Sequence, residues 1–146
     1  MMMIDYSSAD WPQLEDLWVK SWQQAMPQID FEARRGWFNA HVGELHTRGY
    51  VVLCASDGSR IIGFVIFDPV SGHLDQLAVA PDAARKGCGR ALMRQVRLRT
   101  DEPISLDVNA DNAGAVAFYK AEGFVIVGEG INERSGLKTF QMELKR

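Results

Sequence analysis

Apolar residues recur in this chain with two periods, and each switch between them marks a new element. Met2–Tyr6 reads as a short first strand. Ser7 or Ser8 then caps a helix, in which Trp11, Leu14, Trp18, Trp22 and Ala25 share one face until Pro27 ends it. Asp30 is placed to cap a second helix, Phe31–Arg48, whose stripe is Phe31, Phe38, Val42 and Leu45. His41 beside that stripe reads as a packing histidine; Arg34, Arg35, Glu44 and His46 read as solvated. Strands Tyr50–Ala55 and Arg60–Phe67 flank a hairpin turn at Asp57-Gly58. The second is too continuously apolar to have a watery face. After turns at Asp68-Pro69 and Ser71-Gly72 comes His73–Val79, which Pro81 stops because proline brings no amide hydrogen to a ladder.

The later elements follow the same logic. A helix from about Gly89 to Thr100 carries Arg90, Arg94 and Arg97 at helical spacing. Ile104–Val108 is a strand, and Ala113–Ala121 is a short helix with Gly123 as its left-handed stop. Phe124–Glu133 and Leu137–Leu144 form a terminal hairpin across Ser135-Gly136. The order is strand, two helices, three strands, helix, strand, helix, two strands. That is an α/β fold with a mixed sheet and helices on its faces. The chain shows no repeat or linker, and its 146 residues fit one domain, 1–146.

Composition narrows the partners. A net charge of −3, from 19 acidic and 16 basic residues, argues against broad nucleic-acid binding, which needs a basic stripe. No apolar run approaches the ~20 residues that span a bilayer, so no membrane association is expected. The N-terminus lacks the basic and apolar regions of a signal peptide, and a cytoplasmic location is the default. Two cysteines do not make a disulfide framework, and no zinc-ligand spacing occurs, so no metal is expected. Cys54 reads as core. Cys88 reads as a small packing residue, although a thiol at a helix N-terminus can be acidified.

The densest chemical signal is the run from His73 to Leu92. A strand leads through a loop holding Gly87 and Gly89 into a helix N-terminus, where backbone N–H groups and the helix dipole converge. Such a place binds phosphate. Arg85, Lys86 and Arg90 add mobile positive charge. Two common phosphate motifs fail here. Leu92 stands where a dinucleotide fingerprint needs its third glycine, and Arg90-Ala91 replace the Lys-Ser/Thr pair of a P-loop.

Downstream lie Asn112, Ala115, Phe118, Tyr119, Gly123 and Phe124. With the glycine run Ala84–Gly89 before it, the segment Asn112–Phe124 resembles the second signature of the GNAT (GCN5-related N-acetyltransferase) superfamily. The resemblance covers about half the chain, His73 to Phe124. Ala84 stands where the family usually has Arg or Gln, with Arg85 next to it. It implies the GNAT acyl-CoA N-acyltransferase fold: a mixed, mostly antiparallel sheet of about seven strands, about four helices, and a fourth and fifth strand that splay apart. Those strands are His73–Val79 and Ile104–Val108. The coenzyme's pantetheine arm is expected in the gap.

The same resemblance implies acetyl-CoA as cosubstrate, with no metal, and direct acetyl transfer to a primary amine in a ternary complex. Leu77, Ala78 and Val79 should line the arm, and the amides of Arg85, Lys86, Gly87, Cys88, Gly89 and Arg90 should take the pyrophosphate. Asn112 should hold the arm or orient the next helix, and Tyr119, at the family's general-acid position, should protonate the departing thiolate. A backbone N–H near Leu77–Val79 is the expected oxyanion donor. Strand alternation puts His73 and Asp75 on one face with Leu77 and Val79, and either is a candidate base, directly or through water. A β-bulge, common beside active sites, would shift that phase. An imidazole, with an ordinary pKa of about 6.5, is the better tuned of the two. Trp22, Met26 and Ile29, near the joint between the first two helices, are expected to border the acceptor, a small-molecule or peptide amine. The alternative is a non-catalytic acyl-CoA-binding module of the same fold. Monomer and homodimer both remain open.

Overall fold

A computed structural model of the chain describes residues 1–84 and 86–145. It contains seven strands: β1 (Met2–Asp5), β2 (Val51–Ser56), β3 (Ile61–Phe67), β4 (Leu74–Val79), β5 (Ile104–Asn109), β6 (Val125–Ile131) and β7 (Lys138–Leu144). Four α-helices accompany them: α1 (Trp11–Ala25), α2 (Arg35–Thr47), α3 (Cys88–Arg99) and α4 (Ala113–Ala121). The α/β order read from the sequence is the order observed. No helix of the described residues is long and apolar enough to cross a membrane.

The second helix starts later than its sequence pattern suggests. Asp30 does cap, its Oδ1 accepting from the Ala33 amide at 3.2 Å. The turn it caps is a tight 3-10 turn, Glu32–Arg34, and α-geometry begins only at Arg35. Arg35 is not a solvated side chain either. It is held by Glu15 at 3.2 Å, Asp16 at 2.7 Å and Glu32 at 2.6 Å, which ties α2 to α1.

Strand β3 is buried along its whole length. Two adjacent residues show how both faces are covered. A Cβ on Gly63 would lie 2.6 Å from Cys88 Sγ and 3.2 Å from Leu92 Cδ1, so this face touches α3. The Phe64 ring points the other way, 6.2 Å from the Phe38 ring of α2. Phe38 in turn stacks on Trp18 of α1 at 4.3 Å. A bare glycine on one side and a large aromatic on the other let helices pack on both faces of one strand.

The strands form two sheets. One has the order β1-β2-β3-β4 and the other β5-β7-β6, and every ladder within them is antiparallel. They meet where β4 and β5 begin. His73 and Ser105 make a parallel bridge there, and the Ser105 amide donates to the Gly72 carbonyl at 3.1 Å. Gly72 has φ +81°, and a Cβ on it would sit 2.2 Å from the Pro103 carbonyl oxygen. Only glycine permits that approach. Beyond the bridge no ladder joins β4 to β5 among the described residues, and the expected gap lies between them.

Candidate functional site

A cavity of about 500 Å³ fills the gap. Leu77 and Val79 of β4 face Ala115, Phe118 and Tyr119 of α4 across it. At one end lie Ala84, Gly87, Cys88, Gly89 and Arg90; at the other lie Asp75, Gln76, Asp107 and Val108. Strand β4 is the edge of its sheet, so one row of its backbone polar groups is turned to the gap and unpaired by β3.

The glycine turn is open where a ligand would sit. Gly87 is the N-cap of α3 with φ +82°, and no atom lies within 4 Å of the position a Cβ would take. A Cβ on Gly89 would meet the Phe118 ring at 3.2 Å, so this glycine brings α3 against α4. The first amides of α3 are left without helical acceptors. These features fit an elongated ligand with an anionic end. Cys88 can contribute only backbone. Its side chain is buried in the core, and burial pushes the thiol up to about 11, against the acidification considered from its helix position. Arg90 extends into solvent, its side chain 81% exposed, with Glu122 at 3.7 Å. Lys86 is exposed beside the turn and is not among the described residues lining this cavity, and Ala78 is buried facing away from the gap. Arg85 lies outside the described residues.

Tyr119 and Asn112 are positioned by α4. Asn112 is its N-cap, with Oδ1 accepting from the Ala115 amide at 3.2 Å. Tyr119 is 7% exposed, packed edge-on between Phe118 and Phe124, and borders the gap. Burial raises the pKa of its phenol well above the ordinary value. The hydroxyl therefore stays protonated through the physiological range.

A second cavity, about 260 Å³, adjoins the first. The two share Trp22, Asp75, Gln76, Asp107 and Val108. Their junction is built by a β-bulge. Phe67 pairs with Leu74 and Ile66 with Gln76, so Asp75 is the extra residue on β4. The bulge brings Asp75 and Gln76 to the same junction, although they are neighbours in sequence. A chain of side chains fixes them. The Trp18 indole donates to Gln76 Oε1 at 3.2 Å, Gln76 Nε2 donates to Asp75 Oδ2 at 3.1 Å, and His41 Nε2 lies 2.8 Å from the same oxygen. The His41 ring is stacked on Trp37 at 4.7 Å. Burial pulls the Asp75 carboxyl upward, but the His41 hydrogen bond and charge and the Gln76 amide outweigh it, and the pKa falls below the ordinary value.

Aromatic rings wall this second cavity: Trp18, Trp22, Phe31 and Trp37. Trp22 and Phe31 stack at 5.7 Å. The α1–α2 joint is pinned by Gln23, whose amide donates to the Ile29 carbonyl at 2.7 Å and whose Oε1 accepts from the Phe31 amide at 3.0 Å. Ile29 thereby reaches the cavity, as does Trp22. Met26, the third residue expected there, is 1% exposed and sits in the core instead, because the loop folds its apolar side chain inward. His73 also lies outside both cavities. Its Nδ1 is 2.7 Å from the Tyr50 hydroxyl, at the closed end of the gap. The sequence reading missed His41, Gln76, Asp107, Arg34, Trp37 and Arg134. Apart from His41 and Trp37, which share α2, they lie on separate elements and turns, and only the spacing of His41 beside its stripe hinted at any of them.

Among the described residues no group of three or more His, Cys, Asp or Glu side chains is gathered as a metal site would need.

Comparison with known proteins gives a consistent picture. Residues 37–146 match the family model described as acetyltransferase (GNAT) domain. The peptidyl-lysine N-acetyltransferase YiaC of Escherichia coli (strain K12) is 36% identical over 87 residues, which are 59% of this chain and 58% of that protein. The chain spans about half the length of the curated relatives it matches. Among solved structures, the PaiA N-acetyltransferase of Thermoplasma acidophilum in complex with coenzyme A superposes with a TM-score of 0.80 at 18% identity, covering 99% of this chain and 98% of that one. The solution structure of apo YjaB from Escherichia coli gives 0.78 at 20% identity, with 98% and 97% covered. At those identities the structural matches speak to the fold.

Proposed function

Because the chain belongs to the GNAT acetyltransferase family, we propose that residues 1–146 form one catalytic domain that moves an acetyl group from acetyl-CoA to a primary amine within a ternary complex. One observation carries this reading: a long cavity ending at a glycine turn meets a smaller aromatic cavity at Asp75, Gln76, Asp107 and Val108. Bound acetyl-CoA supplies the acyl group as a thioester. Amides at the start of α3 hold its pyrophosphate, and the open edge of β4 pairs with the pantetheine amides. An amide between Leu77 and Val79 takes the charge that develops on the acyl oxygen. Asn112, while capping α4, keeps its side-chain NH2 for the arm.

The amine arrives as an ammonium and must lose a proton before its nitrogen can form the new C–N bond. Asp75 is ionised at neutral pH, and a carboxylate only accepts hydrogen bonds. His41 therefore carries its hydrogen on Nε2 when neutral and keeps its lone pair on Nδ1. That nitrogen takes the amine proton, through a hydrogen bond or one bridging water. Asp75 orients the ring and stabilises the imidazolium that results. Of the two base candidates from the sequence, Asp75 thus acts through His41, and His73 keeps its partner Tyr50. As the C–S bond breaks, Tyr119 gives its phenolic proton to the thiolate, and the second proton shed by the nitrogen of the tetrahedral adduct passes through water to the tyrosinate and restores the phenol. The relatives' peptidyl-lysine substrates are compatible with this chemistry, since a lysine ends in a primary amine.

The test is release of CoA from acetyl-CoA across a panel of primary amines, with Tyr119→Phe alongside. Amine-dependent release, strongly reduced in the variant, supports the reading. Tight acetyl-CoA binding with no release for any amine would instead make the chain an acyl-CoA-binding module.

A further inference from the structure

The charges lining the smaller cavity are segregated. Asp75 and Asp107 border both cavities and so stand at the junction, where transfer is proposed. Arg34 and Arg134 border only the smaller one. Aromatic rings lie between. The Arg34 guanidinium lies 5.8 Å from the Phe31 ring centroid and the Arg134 guanidinium 4.1 Å from that of Trp37. The turn presenting Arg134 is fixed by Asn132, whose Oδ1 accepts from the Arg134 amide at 2.9 Å and the Ser135 amide at 3.0 Å.

No carboxylate lies within ion-pair distance of either arginine among the described residues. Arg35 and Arg60, by contrast, are engaged by Glu15, Asp16 and Glu32 and by Asp57 and Asp82. Two forked donors without a carboxylate partner therefore border one aromatic cavity, exposed Arg134 among them, and two carboxylates line the same cavity where it joins the larger one.

On the reading of this site as an acetyl-transfer centre, we infer that the acceptor is a small zwitterion: a primary amine that also carries a carboxylate, of the amino-acid kind. The ammonium is drawn to Asp75 and Asp107, beside the His41 ring. The carboxylate is received by Arg34 and Arg134, whose planar forks match it. The apolar stem lies against the indole rings. A diamine would put its second ammonium against two guanidinium groups. The size agrees, since about 260 Å³ is below the roughly 300–1,000 Å³ of pockets for drug-sized ligands.

The test compares amines with their carboxylate-bearing counterparts: cadaverine with lysine, putrescine with ornithine, tyramine with tyrosine. Each is titrated calorimetrically into the protein saturated with CoA, and CoA release from acetyl-CoA is followed separately. In at least one pair the carboxylate-bearing member should bind roughly tenfold more tightly, as a charge-assisted hydrogen bond warrants. Arg34→Gln with Arg134→Gln should bring that ratio close to one, and the corresponding double lysine substitution should restore part of it. The melting-temperature rise with acetyl-CoA serves as the folding control.

Equal or weaker binding of the carboxylate-bearing member in every pair overturns the inference. So does a ratio that survives the double glutamine variant, or binding confined to lysine-bearing polypeptides. The two readings separate cleanly. Release driven by carboxylate-free amines with no carboxylate preference keeps acetyl transfer and removes the zwitterion. Carboxylate-dependent binding without any release does the reverse.

Discussion

His41 Nε2 lies 2.8 Å from Asp75 Oδ2, joining α2 to the bulged residue of β4. Two groups that act as one unit should not show additive losses. His41→Gln and Asp75→Asn should each lower kcat by about 10²–10⁴-fold, the usual reach of general acid–base catalysis. The double variant should fall little further. The KM for acetyl-CoA should move much less than kcat in all three, because the proposed role concerns the amine. Steady-state CoA release provides the check, and fully multiplicative losses would dissolve the pair.

The same contact affects stability. The Asp75 pKa is depressed in the folded state, so the native protein binds this proton less readily than the unfolded chain. The resulting stabilisation is fully present above the unfolded carboxyl pKa, about 3.9. It is lost as pH falls through the lower folded value. Urea denaturation of the wild type and Asp75→Asn should therefore show a gap near neutrality that narrows under acid conditions. A gap independent of pH would mean that the contact adds nothing through the charge.

Tyr119 is buried between two phenylalanines with its phenol pKa raised. Tyr119→Phe removes only the hydroxyl, so the fold and the acetyl-CoA-induced thermal shift should survive. The kcat should fall about 10²–10⁴-fold. Because the phenol titrates far above neutrality, it should not set an alkaline limb of the wild-type profile near pH 8. A limb there that vanishes in Tyr119→Phe would contradict this role.

Gly72 closes the narrow end of the gap. Gly72→Ala would place a Cβ 2.2 Å from the Pro103 carbonyl oxygen at a left-handed φ of +81°. The left-handed conformation alone costs about 1–2 kcal/mol, and the clash adds to it. A lowered urea midpoint is expected, together with weaker acetyl-CoA binding, since β4 and β5 must shift relative to each other. Unchanged stability would mean that the two sheets are not braced there.

The elements were largely legible, because apolar period and turn residues are local signals. β3 reads as a strand from IIGFVIF alone, and Gly123, at φ +101°, ends α4 as its position suggests. The start of α2 was less legible, since the Asp30 cap serves a 3-10 turn and an α-helix equally well. The glycine turn and the tyrosine helix could be read because each places its chemistry within one short segment. The acceptor cavity could not. Alternation along β4 groups Asp75 with His73, yet one bulged residue carries Asp75 to the junction and leaves His73 with Tyr50. His41 and Trp37 of α2, Asp107 of β5 and Arg134 of the β6–β7 turn converge from two elements and a turn, and no spacing along the chain encodes that meeting. Met26 looked like a loop residue at the site, but a Met in a short joint between packed helices is readily drawn into the core.

The most direct measurement is thermal denaturation with and without acetyl-CoA, for the wild type and for Gly89→Trp. A ligand bound only by the native state at 100 times its Kd stabilises it by about 2.7 kcal/mol. The wild type should show a clear rise in Tm. The variant, with an indole forced toward Phe118 at the start of α3, should lose that rise while still unfolding cooperatively. No shift in the wild type at millimolar acetyl-CoA would contradict the assignment of the gap between β4 and β5, and with it the roles proposed for His41, Asp75 and Tyr119.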